Sequence, residues 1–177
     1  MSRKIIVLGA FFLGLLAIPT TSISVFASSK IFENMTGSWR GKGLVKSGPK
    51  AKNESIRCKL KSKPDGTSKL KMNGNCAVSG FIFSLNGFIQ QNGSKNSYTA
   101  NMFRSLASLK QSNFTGRRNG SKINFTFKAR DRIGKQNISA TIVMNSKSSK
   151  SFDVSISRLD PTSGKNFSVG TIKFSKR

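Results

Sequence analysis

From residue 37 onward, apolar and polar side chains alternate with period two, the spacing of a β-strand with one buried and one wet face. The clearest run sets Ile123, Phe125, Phe127 and Ala129 against Asn124, Thr126, Lys128 and Arg130. Almost as regular are Ile138, Ala140 and Ile142, and then Phe152, Val154 and Ile156. The pattern predicts strands over 37–45, 55–61, 68–76, 81–89, 97–103, 109–117, 122–129, 137–144, 152–159 and 167–175. Before them, Ile31 to Met35 carries a weak helical pattern, and no internal repeat appears beyond the strand-and-turn rhythm.

Turn residues keep the same register. Asn92-Gly93 and Asn119-Gly120 suit tight hairpins that need positive φ angles, Pro64-Asp65-Gly66 suits another turn, and Asp160-Pro161 with Gly164 suits a longer one. The connections are short, so successive strands are expected to be antiparallel neighbours. An open meander of about ten strands would leave two exposed edges, a liability that closure removes. The expected fold class is therefore all-β, a small antiparallel up-and-down β-barrel of about 8–10 strands. A two-sheet β-sandwich is the alternative.

Alternation fits a water-soluble barrel, apolar inside, and an outer-membrane barrel, apolar outside. Charge separates them. The chain carries 31 Lys plus Arg against 6 Asp plus Glu and no His, a formal net charge of +25. A lumen lined by the polar faces would hold many unpaired cations, each costing several kcal/mol. There is also one Trp and one Tyr, too few for the aromatic girdles of a membrane barrel. The Lys-rich faces are expected in water.

The N-terminus reads as a delivery signal. Arg3 and Lys4 form a cationic start, Ile5 to Ile18 an apolar stretch, Pro19 a break, and Val25-Phe26-Ala27 a small-residue cleavage site. The apolar stretch is shorter than the roughly 20 residues a spanning helix needs, and no second one follows. The expected organisation is a signal peptide at 1–27, a lead-in at 28–36 and one barrel domain at 37–177. The mature chain is expected to be secreted or periplasmic, without a membrane span and monomeric.

Cys58 and Cys76 both fall in the mature part, and an even count in an exported chain favours a disulfide. Cys58 shares a strand face with Ile56 and Leu60, and Cys76 with Leu70 and Met72, so a bridge would staple neighbouring strands. No CxxC motif or His is present to activate either sulfur.

Thr36-Gly37-Ser38-Trp39-Arg40-Gly41-Lys42-Gly43 resembles the opening of lipocalin-type and avidin-type barrels, in which the Trp plugs one end. The resemblance implies a last-strand cation over Trp39, with Lys176 or Arg177 in position. The wider order of Gly-x-Trp-x-Gly-x-Gly, Ile56-Arg57-Cys58, Cys76 and repeated hairpins to a basic C-terminus resembles small Sec-exported proteins of uncharacterised function from host-associated alphaproteobacteria. That resemblance implies a candidate secreted effector.

Two binding sites follow as expectations. Gly41 and Gly43 beside Trp39 would leave space for an apolar small ligand, with Trp39, Phe83, Phe125 and Phe127 as candidate cavity residues; the alternative use of these side chains is core packing. Biotin is disfavoured, because the avidin-type pocket is a cage of several tryptophans. On the outer face, Arg57, Lys59 and Lys61 alternate on one strand and Lys69 and Lys71 on the next, and Lys46, Lys50, Lys52 and Lys63 extend them. Lys128, Arg130, Arg132 and Lys135 form a second basic cluster. Such fields suit an anionic host or envelope partner. Specific nucleic-acid binding is not expected, since Tyr98 alone stands as a candidate for base stacking.

Enzyme chemistry finds little to build on. His is missing, the acids Glu33, Glu54, Asp65, Asp131, Asp153 and Asp160 are scattered, and the S-x-x-K spacings at Ser47–Lys50 and Ser68–Lys71 fall on a loop and across opposite strand faces. No catalytic residue, cofactor or metal site is expected. The sequence points to a non-enzymatic binding protein.

Overall fold

Within the described region every predicted strand forms except the one at 81–89, which is split in two, and the polar rows between the apolar positions face outward. The computed structural model describes residues 30–93, 96–102, 113–130 and 137–177. The expected signal peptide, together with Arg132 and Lys135, lies outside the described residues. Helix α1 (Lys30–Met35) leads into β1 (Gly37–Val45), β2 (Glu54–Pro64), β3 (Lys69–Val78), β4 (Phe81–Ser84), β5 (Gly87–Asn92) and β6 (Ser97–Asn101). Then follow β7 (Asn113–Asn119), β8 (Lys122–Arg130), β9 (Asn137–Ser148), β10 (Ser151–Leu159) and β11 (Asn166–Lys176).

The strands close into an antiparallel barrel. Chain neighbours pair except β4 with β5, and β1 pairs with β11 to complete the ring, Gly41 opposite Phe174. Strands β4 and β5 share one lane beside β3: β4 pairs with Asn75–Val78 and β5 with Lys69–Met72. The single strand expected at 81–89 is thus broken at Leu85-Asn86. There the Leu85 N–H donates to the Gly74 carbonyl (2.7 Å), and the Asn86 side chain accepts from the Gly74 N–H (3.4 Å). Closure excludes the sandwich alternative.

Burial follows the period-two pattern. On β2, Ile56, Cys58, Leu60 and Ser62 are buried, while Arg57, Lys59, Lys61 and Lys63 are exposed. On β8, Ile123, Phe125 and Phe127 are buried between exposed Asn124, Thr126 and Lys128. Apolar groups therefore fill the barrel and charged groups face solvent, the reverse of a lipid-facing barrel. Among the described residues, no helix is long and apolar enough to cross a membrane.

Two hairpins refine the turn reading. The Asn92 and Asn119 backbones do not take positive φ; their glycines do, with Gly120 at +59° in the first of two central positions between β7 and β8. Ser79 (φ +46°) and Gly80 (+79°) make a two-residue turn between β3 and β4, with both central residues left-handed.

The cysteines stand directly opposite each other and form the Cys58–Cys76 disulfide, stapling β2 to β3 on the buried face. The lead-in proves structural too. Ile31, Phe32 and Met35 of α1 are buried, and the helix packs against β2, β9 and β10 at one end of the barrel. Phe32 meets Tyr98 edge-to-face at 5.9 Å, and Tyr98 is 1 % exposed, so it is a core residue and offers no stacking surface.

Candidate ligand site: the apolar chamber and its rim

Trp39 closes the α1 end. Its Nε1–H donates to the Met35 carbonyl (3.1 Å) and to Ser62 Oγ (3.0 Å), while Ser62 itself donates to Met35 O. A buried indole needs such a partner, and here the bonds tie β1 and β2 to the end of the helix. Phe152 meets the indole edge-on at 4.9 Å and stacks on Phe174 at 4.5 Å. Lys176 Nζ lies 5.5 Å from the Trp39 ring centroid, so of the two cations expected near the indole it is Lys176 that stands over the ring.

The space expected beside Trp39 is filled. A Cβ at Gly41 would lie 2.6 Å from Phe174 Cε1, so the ring already occupies that volume. A Cβ at Gly43 would meet the Thr171 carbonyl of β11. These glycines admit neighbouring groups rather than a ligand, and Trp39 is a plug that lines neither chamber described below.

The cavity lies toward the opposite end. An inner chamber of about 210 Å³ is walled, among the described residues, only by apolar side chains, including Leu60, Met72, Phe83, Met144, Phe152 and Ile172. An outer chamber of about 490 Å³ continues it, the two sharing Val78, Phe83, Ile142, Ile156 and Val169. Phe83 therefore faces both chambers. Phe127 lines the outer one and stacks on Phe114 at 4.7 Å. Phe125 does not reach either, because it lies across Gly116 of β7 within the packed core. Phe81 stands on the rim, 63 % exposed.

Three polar residues join the outer wall: Lys46, Ser47 and Arg158. The Lys46 ammonium donates to the Pro49 carbonyl (3.3 Å). Arg158 extends the inward row of Phe152, Val154 and Ile156 by one more step of two, and its Nε is buried without a hydrogen-bond partner among the described residues. The sequence held this signal, because the alternation on β10 runs to position 158 within the strand expected at 152–159.

The outer wall divides the five candidate surface cations. Arg57, Lys59 and Lys61 are exposed on β2 and ion-paired to no described residue. Arg57 stands opposite Lys42, which in turn faces Lys173, and Lys59 stands opposite Arg40. Arg40, Lys42, Arg57 and Lys59 line a shallow groove of about 440 Å³ with Asn75, Ala77 and Ile82, and no carboxylate among the described residues joins them. Lys69 and Lys71 belong to another arrangement, since both bind Asp65 (3.2 and 3.1 Å) and Lys69 also lies 4.7 Å from the Phe88 ring centroid. Hydrogen bonds from Lys71 and then Lys69 hold the Asp65 carboxyl below its ordinary value of 3.8.

No protein-family model matches the chain, and no curated protein matches it. Among solved structures it is similar to a redesigned β-barrel, mFAP1, bound to DFHBI, with 11 % identity and a TM-score of 0.44 over 84 % of this chain and 100 % of that one.

Proposed function

We propose that this is an exported, non-enzymatic binding protein that takes one apolar small molecule into its barrel. The observation that carries the reading is the inner chamber, walled among the described residues only by apolar side chains, plugged at one end by Trp39 and α1 and continuous with the outer chamber at the other. An apolar void of this kind holds water poorly, and its lining lacks contacts that a ligand would supply. The two volumes fall in the range of small-molecule pockets, about 300–1,000 Å³, when filled together. The Cys58–Cys76 bridge supports delivery to an oxidising compartment, secreted or periplasmic.

Titration with neutral Nile red tests the reading. We expect saturable blue-shifted emission that persists at 1 M salt, where the Debye length is only about 3 Å, and is lost when Ile142→Trp fills the wall shared by both chambers. Equal binding by wild type and a folded Ile142→Trp variant would overturn it.

A second reading rests on the groove of Arg40, Lys42, Arg57 and Lys59, whose unneutralised charge supports docking on an anionic host or envelope partner.

A further inference from the structure

Building on the carrier reading, we propose that the ligand is an amphiphile with a carboxylate head, its tail in the inner chamber and its head on Arg158 at the outer one. The chambers are almost uniformly apolar, so the few polar groups in their walls decide which end of a ligand stays outside. Among the described residues no acid lines either chamber, and the polar side chains are Lys46, Ser47 and Arg158, all in the outer wall.

Arg158 is the distinctive one. β10 turns Phe152, Val154 and Ile156 toward the chamber, and the next inward position carries a guanidinium rather than another aliphatic group. Its Nε is buried and donates to nothing among the described residues, whereas buried donors in folded proteins are almost always paired. Asp160, two residues along, does not take this role. It feels the Arg158 charge, but its carboxylate accepts from the Thr162 N–H (3.2 Å), the Ser163 N–H (3.3 Å) and Ser163 Oγ (2.6 Å), closing its own turn. Lys46 is likewise engaged with Pro49.

A carboxylate supplies what this position lacks. It presents two oxygens to a forked donor, and in a poorly solvated wall such a charge-assisted bond is stronger than a neutral one. The same placement disfavours a cationic head, which would meet Arg158 and Lys46 together. A neutral alcohol would enter the chamber but would leave the guanidinium without its counter-ion.

The test compares dodecanoate, dodecanol and dodecyltrimethylammonium as competitors of Nile red on the purified protein with its disulfide intact. Wild type is expected to bind dodecanoate at least 10-fold more tightly than dodecanol and to bind the cation weakest (about 10–100-fold being the span of one charge-assisted bond). Arg158→Met should bring dodecanoate down to the affinity of dodecanol while dodecanol changes less than about threefold, and Arg158→Lys should restore part of the preference. Equal affinity for dodecanoate and dodecanol in wild type overturns the assignment with no variant needed, and it leaves the carrier reading standing. Failure of every probe, Nile red included, overturns both.

Discussion

The Phe174 ring lies in the volume that a side chain at position 41 would need, with Cε1 2.6 Å from where the Gly41 Cβ would be and Ile172 Cγ2 3.0 Å away. The two residues are directly paired across β1 and β11, the seam that closes the barrel. Gly116 and Phe125 repeat the arrangement across β7 and β8. An aromatic ring laid over a facing glycine fills the narrow interior of a small barrel without overcrowding it.

Enlarging position 41 should therefore strain the closing seam. Gly41→Val is expected to cost about 1–3 kcal/mol in urea unfolding, the usual range for overpacking. Phe174→Leu in the same chain should recover part of the loss. Additive effects of the two changes would show that the ring and the glycine do not share this space.

At the plugged end, Ser62 both accepts from Trp39 and donates to Met35. Ser62→Ala should cost about 1 kcal/mol, because Trp39 keeps its bond to Met35. Trp39→Ala should cost about 3–5 kcal/mol through the void it leaves under Phe152. Trp39 is the single tryptophan, so its emission in Ser62→Ala reports the plug directly. An exposed, red-shifted spectrum in that variant would show that the serine, and not packing, holds the indole.

Strand positions and the cysteine pair were legible in the sequence because alternation and turn chemistry are local signals. Phe81 to Ile89 was legible as a strand but not its break at Leu85-Asn86, which depends on Gly74 across the sheet. The cavity was half legible. Phe83 and Phe127 line it, while Trp39 and Phe125 do not, since alternation tells which face a side chain takes but not how far along the barrel the packing is complete. Arg158 escaped notice because a cation on the inner row is informative only once the chamber beneath it is known.

The Cys58–Cys76 bridge joins directly paired residues of β2 and β3 and closes a loop of 18 residues. Replacing both by Ala should lower stability by about 3 kcal/mol in the chain-entropy description. The expected readout is a lower urea midpoint for the double variant and for reduced wild type alike. Agreement between those two, with the barrel still formed, places the effect on the cross-link rather than on the loss of two buried sulfurs.

Asp65 gives a pH dependence with a defined sign. Its carboxyl is held below 3.8 in the folded protein by bonds from Lys71 and Lys69, so the native state favours the ionised form. The associated stabilisation is present above the unfolded value, about 3.9, and is lost as pH falls through the lower folded value. A carboxyl titration followed by NMR should place Asp65 below 3.8 in wild type and move it upward in Lys71→Met. No movement would assign the shift to something other than the lysine.

The outer groove sets stability against binding. Lys42 has a cation opposite it on both sides, Arg57 on β2 and Lys173 on β11, and like charges so placed repel across strands. Lys42→Glu should therefore stabilise the barrel, by roughly 0.2–1 kcal/mol in urea. If the groove docks an anionic partner, the same change combined with Lys59→Glu should lower the salt concentration at which the protein leaves immobilised heparin. The control is Lys122→Glu with Lys128→Glu, which makes the same change in net charge on the exposed face of β8. Earlier elution of the groove variant alone would mark these cations as a site whose cost in stability is retained for binding. Equal shifts in both pairs would reduce the groove to its share of a charge spread over the whole surface, and leave the apolar chamber as the place where this barrel meets its ligand.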